Sequence, residues 1–219
     1  MAIRISGIEP EFAKQKAEEA VRDGVMETVS DSSWDTNNSN LGVNGFNVVD
    51  SWGEVKSNAC LVSYMNGYKD PRRDKYFTAQ SVNKDGGFIG VRSGSTELPN
   101  TQAYANFLRA EGALKGWNMQ GTPKDLYEQG VRVSFEEFKS SGVDAYLADA
   151  TSVPGNYKDP SGKTGDDYTN LSTITIKWNE GDSNAQKLER ILTQKWIACF
   201  LDPMMGWADY RPTGYPQIF

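Results

Sequence analysis

Apolar positions recur at helical spacing over most of this chain, and turn-forming residues mark where each run stops. In residues 10–24, Phe12, Ala13, Ala17, Ala20 and Val21 make one stripe. Pro10 suits the first turn, where its missing N–H costs nothing, and Gly24 suits the C-terminal stop. Ala2, Ile3 and Ile5 are apolar and no capping residue precedes them, as in the tail of an element that began earlier. A second helical run covers 54–68, with Val55, Ala59, Leu61, Val62 and Met65 apolar. Asp70-Pro71 ends it, because the residue before proline avoids the helical region. The clearest pattern is a helix pair over 101–117 and 122–138. Tyr104, Phe107, Leu108, Gly112 and Leu114 share a broad face in the first, where Ala110 and Ala113 permit close approach. Thr122-Pro123 supplies an N-cap and a first-turn proline for the second, and Leu126, Gly130, Val131 and Phe135 follow at helical spacing. A short helix follows over 143–150. Asp182-Ser183-Asn184 caps a last one that carries Leu188, Ile191, Leu192, Lys195, Trp196 and Cys199 and ends before Pro203. Short strands are expected at 76–79 and 88–91, around the turn 83–87, and at 171–178. The pattern predicts a mainly α fold: tetratricopeptide-like helical repeats with small β elements and long loops, in one region spanning 1–219.

Composition narrows the functional classes. Of 219 residues, 38% are hydrophobic and 24% charged, as in a soluble globular chain. The 23 Lys and Arg fall short of the 29 Asp and Glu, and a net charge of −6 argues against nucleic acid, whose phosphates demand a basic face. The chain has no histidine, which excludes Ser-His-Asp and Cys-His catalysis and imidazole metal ligation. No apolar run approaches the roughly 20 residues that span a bilayer, and the N-terminus lacks a signal-peptide pattern. Cys60 and Cys199 read as small buried hydrophobes in preference to a bridge.

Candidate chemistry is unevenly spread. Glu136-Glu137 and Asp166-Asp167 are paired only in sequence, whereas a glycosidase holds two carboxyls about 5–10 Å apart across a cleft. No GxSxG nucleophile elbow is present, so no catalytic residue is assigned and no enzyme is expected. The carboxylates of 31–35 and 159–167 match no EF-hand and read as turn formers, so no metal is expected. Gly86, Gly87 and Gly90 form no phosphate-binding pattern, and no cofactor is expected. The aromatics say more. Six Trp, ten Tyr and nine Phe make up 11% of the chain, and several lie in polar surroundings. Within 28–53, Trp34, Phe46 and Trp52 sit among Asn37, Asn38, Asn40, Asn44, Asn47 and Asp50. Flat rings beside amides match a sugar, which offers an apolar C–H face and a rim of hydroxyls. Trp34, Asn37, Asn38, Phe46 and Trp52 are therefore the candidate ligand-binding residues, whereas Trp178, Trp196 and Trp207 are expected in the core.

Four stretches carry a family resemblance. Leu188-Glu189-Arg190-Ile191-Leu192 through Phe200, then Trp207-Ala208-Asp209-Tyr210-Arg211 and Thr213-Gly214-Tyr215-Pro216, resemble the C-terminal signature of the SusD/RagB family. Tyr64 to Phe77, with Asp70-Pro71-Arg72 at its turn, is similar to the family segment in which a helix ends at "DPR". Phe107 to Trp117 and Ala17 to Val21 resemble two of its tetratricopeptide helices, and all the matches run in family order. Pro212 stands where the family more often has arginine, and 94–101 is short for it. The resemblance implies a nutrient-binding outer-membrane lipoprotein of Bacteroidetes on the extracellular face. It would capture oligosaccharide without cleaving it and would cap a SusC-like TonB-dependent transporter. Membrane attachment would come only through a lipid anchor missing from this chain, which would be a C-terminal region truncated at both ends. The family's ligand-contacting aromatics vary, so none transfers by position. The loop after an early repeat helix often contributes, and here that loop is 28–53. A scaffold or transporter-docking role without a ligand site is the alternative. A glycoside hydrolase is kept only because carboxylates are plentiful.

Overall fold

The computed structural model describes residues 2–28, 58–77, 102–159, 162–200 and 202–218. These are mainly helical: α1 (Ala2–Ile5), α2 (Pro10–Asp23), α3 (Ala59–Gly67), α4 (Arg73–Tyr76), α5 (Gln102–Leu114), α6 (Pro123–Glu137), α7 (Val143–Ala148), α8 (Asn184–Ala198) and α9 (Pro203–Thr213). They belong to two compact units, one of residues 1–32, 99–137 and 177–216, the other of 33–98, 138–176 and 217–219.

In the first unit, the expected helix pair is α5 and α6. Thr122 Oγ1 accepts from the Asp125 N–H at 3.1 Å and so caps α6. Glu137, in the last turn of α6, accepts from the Ala103 N–H at 3.2 Å, placing a carboxylate where the α5 dipole favours one. Small residues let the pair close up: a Cβ on Gly130 would lie 2.8 Å from the fully buried Phe107 ring. Gly130→Ala should therefore destabilise the chain by about 1–2 kcal/mol, overpacking outweighing the gain in helix propensity. A denaturant midpoint that rose instead would show that the ring can yield.

Helix α8 packs against α5, α6 and α9. Its start is a capping box, with Ser183 Oγ accepting from the Gln186 N–H and Gln186 Oε1 accepting from the Ser183 N–H. Every residue from Glu189 to Lys195 is buried, so this helix has no solvent face over that stretch and its polar groups need partners inside. Helix α2 behaves differently. Ala13 and Val21 are buried, but Phe12 is 51% exposed with the Lys16 ammonium 5.9 Å from its ring centroid, so the expected stripe is only partly a core face. The uncapped start is a single helical turn, α1, packed on α2 and α5.

In the second unit, Asn58 Oδ1 accepts from the N–H groups of Cys60 and Leu61 and starts α3. The strand expected over 171–178 is not formed. Ser172, Ile174 and Ile176 are buried while Leu171, Thr173 and Lys177 are exposed, so the alternation describes an extended segment with one side inward. Its carbonyl at Ile174 is taken by the Tyr68 hydroxyl at 2.9 Å, not by a neighbouring strand. Trp178, in the first unit, is buried 5.5 Å from Tyr127. The strand expected at 76–79 starts inside α4, where Tyr76 is buried against Phe138 at 4.4 Å between centroids. Residues 78–79 and 88–91 lie outside the described residues. Among the described residues, the only β-type pairing is the isolated antiparallel bridge Tyr157–Tyr168.

Candidate functional site

Trp34, Asn37, Asn38, Phe46 and Trp52 all lie outside the described residues, which resume on either side of them at 28 and 58. What leads up to them is firmly held. The Asn106 amide donates to the Glu27 carbonyl at 3.0 Å, and Arg109 donates to the Glu27 carboxylate at 2.7 Å. Arg109 also donates from Nε to the Met119 carbonyl at 3.1 Å, so one buried side chain ties residue 27 to the α5–α6 turn. On the far side, the Asn58 cap sets where α3 begins. Residue 27 is thus held by side chains from far along the chain, and residue 58 by its own local cap.

The sequence-adjacent carboxylates do not form acid–base pairs. Glu136 is exposed, while Glu137 is committed to the start of α5. Asp167 accepts from Lys158 at 2.6 Å and from the Asp159 N–H at 2.8 Å, and these bonds hold it below the usual carboxylate range, Lys158 contributing most. Asp149 is lowered further, by Ser152 first and then Thr151, whose backbone N–H groups it accepts at 2.8 Å each. Among the described residues, no three His, Cys, Asp or Glu side chains gather as a metal site would require. Cys60 and Cys199 are free thiols, each pushed up to about 12 by burial, which leaves little nucleophilic thiolate.

Two buried ionic clusters went unrecognised in the sequence. In the first unit, Lys195 Nζ lies 2.5 Å from Glu111 and 3.0 Å from Asp209, and 4.3 Å from the Tyr104 ring centroid. The Tyr104 hydroxyl donates to Asp209 at 3.0 Å and accepts from Arg4 at 2.9 Å. Burial and the Asp209 charge outweigh the nearby cations and move the Tyr104 phenol up to about 12. In the second unit, Arg72 and Asp70 are completely buried and joined twice, Nε to Oδ1 at 3.0 Å and Nη2 to Oδ2 at 2.6 Å. The Tyr146 hydroxyl donates to the same Oδ2 at 2.9 Å. Paired charges of this kind fix helices against one another and give no sign of substrate chemistry.

Exposed aromatics are the remaining resource. Trp207 is 54% exposed on α9, which corrects its expected place in the core. Gly206 and Asp209 are the buried positions of that helix, and Trp207, one step beyond Gly206, is turned outward and stacked on Tyr210 at 5.8 Å. Trp196 is half-buried beside Gly206. Tyr168 is 55% exposed beside Tyr157. A groove of about 520 Å³ along α2, lined by Lys14, Glu18, Arg22, Asn118 and Gln120 among others, has polar walls without an aromatic ring.

A model of the SusD-like family, described as "Susd and RagB outer membrane lipoprotein", matches residues 1–106 and 100–219. Solved structures agree. A SusD-like protein from Bacteroides thetaiotaomicron is 59% identical with a TM-score of 0.86, over 100% of this chain and 50% of that one. A homologue from Bacteroides uniformis is 41% identical with a TM-score of 0.85 and the same coverage. A chitin-binding homologue from Flavobacterium johnsoniae is 36% identical with a TM-score of 0.89, over 100% of this chain and 49% of its own. The chain thus spans about half the length of these relatives. No curated protein matches it.

Proposed function

This chain belongs to the SusD-like family of outer-membrane lipoproteins, and from that premise we propose that it takes part in non-catalytic capture of oligosaccharide at the cell surface. Uptake would follow through a SusC-like TonB-dependent transporter. The observation that carries this reading is the match of all of this chain to 49% of a chitin-binding homologue at 36% identity. It makes β-1,4-linked N-acetylglucosamine oligomers the first probe. In this reading the rings of Trp34, Phe46 and Trp52 stack on pyranose faces, while Asn37 and Asn38 bond hydroxyl or acetamido groups.

Aromatic stacking is worth about 1 kcal/mol or more per ring, so Trp34→Ala and Trp52→Ala should each weaken oligosaccharide binding about fivefold or more. The far-UV circular dichroism should stay unchanged. Loss of helical signal in step with loss of binding would make the two tryptophans core residues. The scaffold reading draws on one fact: the solved relatives carry as much chain again as is matched here. It would gain if the folded chain bound no sugar.

A further inference from the structure

The groove along α2 has that helix as one wall and the α5–α6 turn as the other. Glu18 joins the two, its Oε1 accepting from the Asn118 N–H at 2.8 Å. The turn is pinned from behind. Met119 is buried and fills the space beside Gly112, where an added Cβ would come within 2.8 Å of its sulfur. Arg109 donates to the Met119 carbonyl at 3.1 Å and to the Gln120 carbonyl at 3.4 Å. Gln120 sits with φ at 55°, in the left-handed region, and lines the groove from its exposed position. Two features distinguish this groove from an ordinary solvated helix face. It is concave, and its volume of about 520 Å³ lies within the roughly 300–1,000 Å³ of small-ligand sites. Its polar groups are also uncommitted: the Glu11 carboxylate, the Lys14 ammonium and the Gln120 side-chain amide have no partner among the described residues. Glu11 and Lys14 stand three apart on the helix, a spacing at which opposite charges can meet, yet they do not pair.

We infer that this groove is a second contact site for neutral oligosaccharide, with Lys14 and Gln120 donating to sugar hydroxyls and Glu11 accepting from them. Every lining residue is polar or charged, so an apolar helix would gain nothing by packing there, whereas a polyol replaces water bond for bond. Carboxylates and cations share the wall, Glu11 and Glu18 with Lys14 and Arg22. That mixture offers hydroxyls acceptors as well as donors, and it offers an ionic ligand no consistent partner. From Glu11 to Arg22 the helix rises roughly 16 Å, room for more than one sugar ring along its length. Without an aromatic ring the site works by hydrogen bonding alone, which suits holding part of a long glycan already engaged elsewhere.

The inference rests on the oligosaccharide-capture reading and falls separately from it. The full chain is titrated with chitohexaose, cellohexaose, maltohexaose and mannohexaose and followed by nuclear magnetic resonance, beside Lys14→Ala/Gln120→Ala and Lys14→Arg. With a sugar that binds, the side-chain amide signals of Asn118 and Gln120 should shift and saturate. Lys14→Ala/Gln120→Ala should bind about fivefold more weakly or worse. Its thermal midpoint should stay unchanged, because neither side chain has a partner to lose. Lys14→Arg keeps a charged donor and should bind within about twofold of the unaltered chain. If a sugar binds and either those amides stay still or the double variant keeps its affinity, the groove is refuted and the capture reading stands. A lowered midpoint in the double variant makes the two side chains structural and also refutes it. Failure of the unaltered chain to bind any of the four sugars overturns both.

Discussion

Replacing Lys195 with alanine lowers the unfolding free energy by about 3–5 kcal/mol, because Glu111 is left buried without its partner and must either carry an unpaired charge or take up a proton. Asp209 still keeps Arg4 and Tyr104, so the damage concentrates on Glu111. A Lys195→Met/Glu111→Leu double variant should recover much of the loss, since an apolar pair in place of an ion pair is often neutral. Urea unfolding of the three variants checks this, and a loss below about 1 kcal/mol for Lys195→Ala would mean that water reaches the ammonium. The pH dependence has a definite sign. Burial opposes the Lys195 charge, but Glu111, then Tyr104 and Asp209, outweigh it and hold the ammonium above its ordinary value. A group raised on folding contributes fully below its unfolded pKa and loses that contribution only as pH climbs through the folded value. The Lys195 contribution to the wild-type chain should therefore be flat between about pH 6 and pH 9. Glu111 of the alanine variant, raised by burial with no ammonium to oppose it, makes that variant lose stability as pH rises, so the deficit should grow from acid toward neutral and alkaline pH.

Arg72→Lys should fail almost as badly as Arg72→Ala, costing about 2–4 kcal/mol against about 3–5 for alanine. The guanidinium meets both oxygens of Asp70 at once, and a lysine ammonium lacks that planar fork in a site where both side chains are fully buried. Asp70 would keep the Tyr146 hydroxyl and the Arg72 backbone N–H, which is why some of the second unit's order survives. Thermal unfolding followed by tyrosine fluorescence reports the change. Equal midpoints for wild type and Arg72→Lys would show that charge alone, not the forked geometry, holds the turn.

These clusters mark where sequence patterns stop being informative. Helices α2, α5, α6, α7 and α8 were legible because caps, prolines and apolar spacing act locally, and Thr122 and Ser183 do in space what their positions suggest. The ion pairs of Lys195 and Arg72 were not assigned from the sequence, because the Glu111 partner of Lys195 and the Tyr146 hydroxyl that joins Asp70 and Arg72 come from far along the chain. The helical character of Pro203–Thr213 was also missed: an aromatic tail with two prolines lacks an apolar stripe, and the Asp202 cap was passed over. The strand at 171–178 failed for the opposite reason. Its two-residue alternation is real, but a tyrosine hydroxyl serves the backbone where a neighbouring strand was assumed. The family was legible from four motifs in order, and the comparisons agree with it. The candidate site residues rest on composition and on the family's use of the loop after an early repeat helix, which agree on a region without placing an atom.

Oligosaccharide capture is the central claim, and a glycan array of the folded chain, read a second time by tryptophan fluorescence, tests it most directly. The account predicts a hit among neutral oligosaccharides, with a fluorescence change that disappears when Trp34 and Trp52 are replaced. A blank array from a chain whose circular dichroism shows its helices intact would contradict it.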